Sequence, residues 1–230
     1  MTYDLYIGDQ AFSTWSLRGW LMLEKFGLSF NTHLLGLYSG TMQSDLAPLA
    51  PARLVPVMQT PEGDVVGETL AMAETLAERH PDAGHWPQDA GLRSAARWLC
   101  AEMASGFSAL RSECPMQLFH VNEGFHVSDG VRADLDRIET LWAWARSRSG
   151  DQGDWLFGEY SLADVFYAPV AARMVGYDLP MSAFAAAYCE RTISDQAFIA
   201  WRTEGLKKTY DPFPYPVTAR TRPWPEVSLR

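Results

Sequence analysis

Hydrophobic and polar positions follow two rhythms along this chain, and the change of rhythm divides it. Residues 3–7, YDLYI, are short and rich in aromatic and β-branched side chains, which predicts a strand. From Thr14 to Phe26, the residues Leu17, Trp20, Leu21, Leu23 and Phe26 share largely one helical face, and Gly27 supplies a stop. Residues 29–36 predict a second strand, so the first unit is βαβ with a parallel pair. Residues 37–52 predict a loop with at most a helical turn. Leu54–Gln59 and Val65–Val66, joined through a turn at Pro61–Asp64, predict a hairpin. Between Thr69 and Arg79, the residues Leu70, Met72, Ala73, Leu76 and Ala77 return to helical spacing.

Residues 80–91, HPDAGHWPQDAG, form the strongest linker signal. Beyond them only helical spacing is evident, over 91–112, 130–149, 162–175, 181–191 and 195–208, and no further strand is predicted. Pro169 inside the third of these predicts a kink. Residues 211–230 contain five prolines and predict an extended tail. The expected architecture is α/β plus all-α: a thioredoxin-like βαβ–ββα domain in 1–81, an all-helical domain in 90–210, and the tail in 211–230.

Composition narrows the function. At 47% hydrophobic and 13% aromatic, the 230 residues suffice for a sizeable core. A net charge of −9 with no Lys/Arg cluster excludes nucleic acid and anionic membrane surfaces as expected partners. The first ten residues have neither a basic start nor an apolar core, and no run approaches the roughly 18 apolar residues of a span. A cytoplasmic location is expected. Cys100, Cys114 and Cys189 are odd in number and lack CxxC spacing, as for reduced thiols filling a core. The five histidines form no ligand pattern, so no metal site is expected.

Four constellations carry candidate chemistry. Pro56, inside a strand pattern, withholds a ladder donor and belongs at an edge, a bulge or a cis bond. Gly67-Glu68-Thr69 opens a helix, where the two side chains either cap it or join its exposed N–H groups in holding a zwitterion. Ser13, Thr14 and Ser16 stand at the start of the first helix, where a hydroxyl caps the helix or donates to a ligand. Ser161 and Asp164 have capping-box spacing ahead of an apolar run and read as structural.

The run from Pro51 to Pro81, PARLVPVMQTPEGDVVGETLAMAETLAERHP, resembles the N-terminal domain of the cytosolic glutathione transferase superfamily. The loop STWSLR, Ser13–Arg18, resembles its bacterial and serine-type members, and the Ser161/Asp164 box is similar to the one that opens a buried helix in that family's second domain. The resemblance implies glutathione as co-substrate. Val55 would pair its backbone with the cysteinyl unit, ahead of a cis Pro56. Glu68 and Thr69 would hold the γ-glutamyl end, with Thr69 standing where serine is commoner, and Arg53 could reach the glycyl carboxylate. Ser13 leads as the hydroxyl that favours thiolate over thiol, followed by Thr14 and then Ser16; simple capping remains open beside that role. No cysteine lies in this loop, unlike the thiol-exchange classes, and the Ser-Ser-Cys motif of maleylacetoacetate isomerases is absent.

The electrophile pocket is expected between the domains, lined by Trp15, Phe107, Leu110 and Arg111, with Phe119 near. Arg18 reads mainly as structural, and Trp98, Trp142 and Trp144 as core or interface. The implied function is conjugation of the glutathione thiolate to a small hydrophobic electrophile by a homodimer. The alternatives are a non-catalytic glutathione-binding or interaction module, and a glutathione-dependent isomerase or thiol reductase.

Overall fold

A computed structural model describes residues 1–150, 153–218 and 220–226. Its first layer is a four-stranded sheet of order β2-β1-β3-β4. Strand β1 (Tyr3–Ile7) runs parallel to β2 (Phe30–Leu34), with Leu5 opposite Thr32, and antiparallel to β3 (Val57–Gln59), with Leu5 opposite Met58. Strand β4 (Val65–Val66) closes the hairpin against β3. Along β1 the period of two is strict. Tyr3, Leu5 and Ile7 are buried, while Asp4 and Tyr6 are half-buried on the other face. The buried face meets α1 (Thr14–Glu24) and α3 (Thr69–Arg79). The opposite face packs a smaller cluster of Leu46, Leu49, Val55 and Val57 beneath α2 (Met42–Leu46).

The second layer is helical: α4 (Ala90–Ser105), α5 (Ser108–Glu113), α6 (Asp129–Ser149), α7 (Leu162–Gly176), α8 (Ala183–Ser194) and α9 (Gln196–Gly205). At α7 only Val175 is less than fully buried, because its sequence is apolar all round and it forms the centre of the molecule. Its start is the reciprocal capping box expected of Ser161 and Asp164, and Pro169 lies inside the helix without ending it. The fold class therefore matches the expectation: a thioredoxin-like domain followed by a helical one.

Three expectations are corrected. The helix expected over 91–112 is two helices, because Gly106 and Phe107 break it. Phe107 takes φ 57°, and a Cβ on Gly106 would sit 2.8 Å from the Glu102 carbonyl oxygen. Strands do occur beyond the linker. His120–Glu123 forms β5 and Arg220–Pro223 forms β6, paired antiparallel with Val121 opposite Arg222. The expected tail is thus tied down in part, while residues 219 and 227–230 of it lie outside the described residues. The hairpin strand expected from Leu54 begins at Val57, leaving Val55 and Pro56 ahead of the ladder. No helix among the described residues is long and apolar enough to cross a membrane.

Candidate functional site

The loop before α1 and the first turns of that helix sit against the helical layer. The loop between β1 and α1 is held by its own backbone, Ser13 N–H donating to the Asp9 carbonyl at 2.8 Å. It is also held from the second layer. Trp201 of α9 donates from Nε1 to the Gln10 carbonyl at 2.7 Å, and a Cβ on Gly205 would come within 2.8 Å of the Ala11 nitrogen. Only glycine permits that approach of α9 to the loop.

Ser13 is the N-cap of α1 and is 7% exposed. Its hydroxyl donates to Ser16 Oγ at 2.7 Å, and Ser16 Oγ in turn accepts the Gly8 N–H at 2.9 Å. The Ser16 N–H approaches Ser13 Oγ at 3.4 Å. Both serines are therefore engaged inside the protein. Thr14, the first helical residue, is half-buried and lines an opening of about 450 Å³ with Trp15, Arg111 and Arg173. Of the three hydroxyls proposed from the sequence, it is the one that faces this space.

The Val55–Pro56 peptide is cis. Pro56 abuts α1: a Cβ on Gly19 would fall 3.0 Å from the proline ring, so a glycine here lets the helix reach the bond. Glu68 has φ 58° and ψ 123°, a backbone conformation that non-glycine residues rarely adopt. It is exposed, whereas Thr69 is buried. Among the described residues no side chain caps α3, so its first N–H groups depend on some other acceptor. A positive helix end beside an exposed carboxylate suits a ligand group carrying both charges. Arg53 is exposed, one residue before the exposed Leu54.

The expected pocket liners divide. Trp15 and Arg111 line the opening, whereas Phe107 and Leu110 turn inward and join the main core, at 6% and 0% exposure. The turn at Phe107 causes this, since it swings α5 so that Arg111 rather than Leu110 faces Thr14. Sequence reasoning missed Arg173 on α7; helical spacing alone made it one polar position in a buried helix. Arg18 is buried, donating from Nε to the Phe166 carbonyl of α7 at 2.9 Å, with its guanidinium 4.4 Å from the Trp15 ring. Trp142 is core, while Trp98 is 54% exposed and packs edge-on against Trp144.

The tail also reaches this end of the molecule. Tyr210, Phe213 and Tyr215 set their rings edge-on around Phe12, with Phe119 and Tyr38 completing the cluster. Beneath them Asp9 accepts from Lys208 Nζ and Tyr210 OH, each at 2.6 Å, and from the Leu37 N–H at 2.7 Å. Burial alone would raise the Asp9 carboxyl, but these three donors outweigh it and hold its pKa below the usual aspartate value. All three cysteines are buried, and burial pushes the Cys114 thiol up to about 12 and Cys100 well above its ordinary value.

Comparison with known proteins places the chain in context. A family model described as the glutathione S-transferase N-terminal domain matches residues 12–79, and the corresponding C-terminal domain model matches residues 127–205. A protein from Caenorhabditis elegans named "Probable maleylacetoacetate isomerase" is 29% identical over 183 residues, covering 78% of this chain and 82% of that protein. Among solved structures, a glutathione transferase homologue from Burkholderia with bound glutathione superposes with a TM-score of 0.66 at 24% identity, covering 91% of this chain and all of the other. A glutathione transferase from Populus trichocarpa gives 0.68 at 14% identity, covering 90% of this chain and 100% of that one.

Proposed function

The chain belongs to the glutathione S-transferase family, and from that premise we propose that it binds glutathione along Val55, Pro56, Glu68 and Thr69 and transfers its thiolate to a small electrophile. The observation that carries this reading is the uncapped start of α3, where exposed Glu68 takes φ 58° beside buried Thr69. The α3 N–H groups and the Thr69 hydroxyl would hold the α-carboxylate of the γ-glutamyl unit, and Glu68 its ammonium. The backbone of Val55, outside the β3 ladder, is left to pair with the cysteinyl unit. Arg53 is the cation proposed for the glycyl carboxylate.

Thiol activation needs a hydrogen bond that is stronger to sulfur anion than to thiol, because only the thiolate is the nucleophile. The engagement of Ser13 with Ser16 favours Thr14 for this donation, with Ser13 orienting the helix start as its cap. The α1 N-terminus adds a favourable field for the same negative charge. Deep burial of all three cysteines supports transfer of the glutathione thiolate over thiol–disulfide exchange through the protein's own thiols.

The resemblance to a probable maleylacetoacetate isomerase supports a second reading, in which glutathione adds to a double bond and is released unchanged. Glutathione titration by calorimetry, followed by conjugation of chlorodinitrobenzene, tests the first. Binding with conjugation supports it. Binding without any consumption of glutathione, but with isomerisation of a cis-enedione acid, favours the second. No binding at millimolar glutathione overturns both.

A further inference from the structure

Three arginines converge on one side of the opening. Arg111 lies on α5 and Arg173 on α7, and both line the opening, while Arg18 of α1 sets its guanidinium over the ring of Trp15, which also lines it. The guanidinium carbons of Arg18 and Arg111 lie 4.4 Å and 5.2 Å from the Trp15 ring centre. None of the three forms an ion pair among the described residues. Their partners are carbonyl oxygens: Arg18 Nε donates to Phe166, Arg173 Nε to Cys114 at 2.9 Å, and Arg111 Nη1 approaches Ala104 and Gly106 at 3.3 and 3.4 Å.

That satisfaction is incomplete. Arg18 is 1% exposed and Arg173 is 5% exposed, yet Arg18 Nη2 and Arg173 Nη1 are buried without any acceptor among the described residues. A buried guanidinium nitrogen without a partner is costly, and neighbouring like charges add to the cost. Burial, then Arg111, pushes Arg173 down to about 10, which still leaves it charged at neutral pH. A structural role alone would be served better by a carboxylate within the fold. A planar carboxylate accepts from such forks with two oxygens, which answers both the orphaned donor and the repulsion.

We propose that Arg111 and Arg173 form an anion subsite beside Thr14 and Trp15 that takes the carboxylate of an acidic electrophile. The acceptor substrate of this enzyme is then an organic acid carrying an apolar or unsaturated body, with Trp15 as the flat wall for that body. Arg18, over the Trp15 ring, strengthens the field without touching the ligand. This deepens the transferase reading of the same opening and rests on it for the word substrate, while the anion site itself stands on the arginines.

The test compares a carboxylate with its neutral isostere. Calorimetric titrations of cinnamate and of cinnamamide are made on the full chain, with and without saturating S-methylglutathione. The subsite predicts that cinnamate binds about tenfold tighter or more, with S-methylglutathione present, since a charged hydrogen-bonded pair is worth that much. In Arg111→Gln the preference falls to within about twofold, while Arg137→Gln, which breaks a surface ion pair with Glu102, leaves it intact. Arg173→Lys, which keeps a charge but loses the fork, lies between the two. Equal binding of acid and amide by the wild type overturns the proposal without any variant. So does loss of the cinnamate preference once S-methylglutathione is bound, because the arginines would then be holding a carboxylate of glutathione itself. If cinnamate is preferred but no electrophile is conjugated, the subsite stands and the transferase reading falls. If neutral electrophiles are conjugated with no preference for acids, the reverse holds.

Discussion

The Ser13 hydroxyl donates to Ser16 Oγ across 2.7 Å, and that bond separates the two roles a hydroxyl can play at the start of α1. Ser16 Oγ also accepts the Gly8 N–H, so the pair knits the end of β1 to the helix. Thr14, one residue on, faces the opening instead.

Ser13→Ala therefore acts on the fold and Thr14→Val on the chemistry. Loss of the Ser13 cap costs about 1 kcal/mol of stability, read as a lowered urea midpoint. Thr14→Val leaves that midpoint near the wild type and lowers kcat/KM for conjugation by roughly 10- to 100-fold, the worth of a hydrogen bond to a charged group. If Ser13→Ala alone abolishes turnover in a stable protein, the assignment is reversed.

Glu68 and Thr69 act on binding. Glu68→Gln removes the proposed partner of the ligand ammonium and weakens glutathione by about tenfold, as a charged pair loses its charge. Because Glu68 adopts φ 58°, Glu68→Gly relieves backbone strain while also losing the carboxylate. Its stability is equal to or above that of Glu68→Gln, while its affinity stays as low. Parallel calorimetry and denaturation separate the two effects.

Asp9 ties the tail to the β1–α1 loop through Lys208 and Tyr210. Its pKa is lowered in the folded protein, so the stability it contributes is complete above the unfolded value, about 4, and is lost as pH falls through the lower folded value. The urea midpoint of the wild type drops over that acid window more steeply than that of Asp9→Asn. At neutral pH Asp9→Asn loses the ion pair, and hydrogen exchange across 210–215 accelerates relative to the wild type.

Asp164 anchors α7 by accepting the Ser161 N–H at 2.9 Å, the Leu156 N–H at 3.1 Å and the Tyr188 hydroxyl at 3.1 Å. Asp164→Ala strands these three buried donors and the Ser161 hydroxyl, which donates to the same carboxylate at 3.2 Å, and costs about 3 kcal/mol or more. Thermal unfolding shows it. Burial raises its pKa to about 6, against hydrogen bonds that lower it. A raised carboxyl pKa means stability falls as pH rises from about 4 to about 6, so wild type loses ground to Asp164→Asn across that window.

The periodic elements of the first 80 residues were legible because their signals are local. The period of two in YDLYI and the helical stripe after Thr69 both survive in the fold. The Ser161/Asp164 box was legible for the same reason, since four consecutive residues contain the whole interaction. What the sequence hid depends on distant chain. β5 and β6 pair residues about a hundred positions apart, and neither carries strand signal by itself. The break at Gly106–Phe107 lies inside good helical spacing, where one glycine is an ordinary occurrence, and it decides that Arg111 faces the opening while Phe107 and Leu110 face the core. Arg173 became visible as a candidate only once α5 and α7 were brought together. The sequence resemblance puts Ser13 ahead of Thr14; the Ser13–Ser16 bond, which depends on side-chain rotation that no sequence pattern records, is what favours the reverse order.

The most direct measurement is the titration of the thiol of bound glutathione, followed by ultraviolet thiolate absorbance in the wild type and in Thr14→Val. Thiol activation at Thr14 requires saturable binding, a bound thiol whose pKa lies at least one unit below that of free glutathione, and return toward the free value in Thr14→Val. A bound thiol that titrates like free glutathione, or no binding at millimolar concentrations, would contradict it.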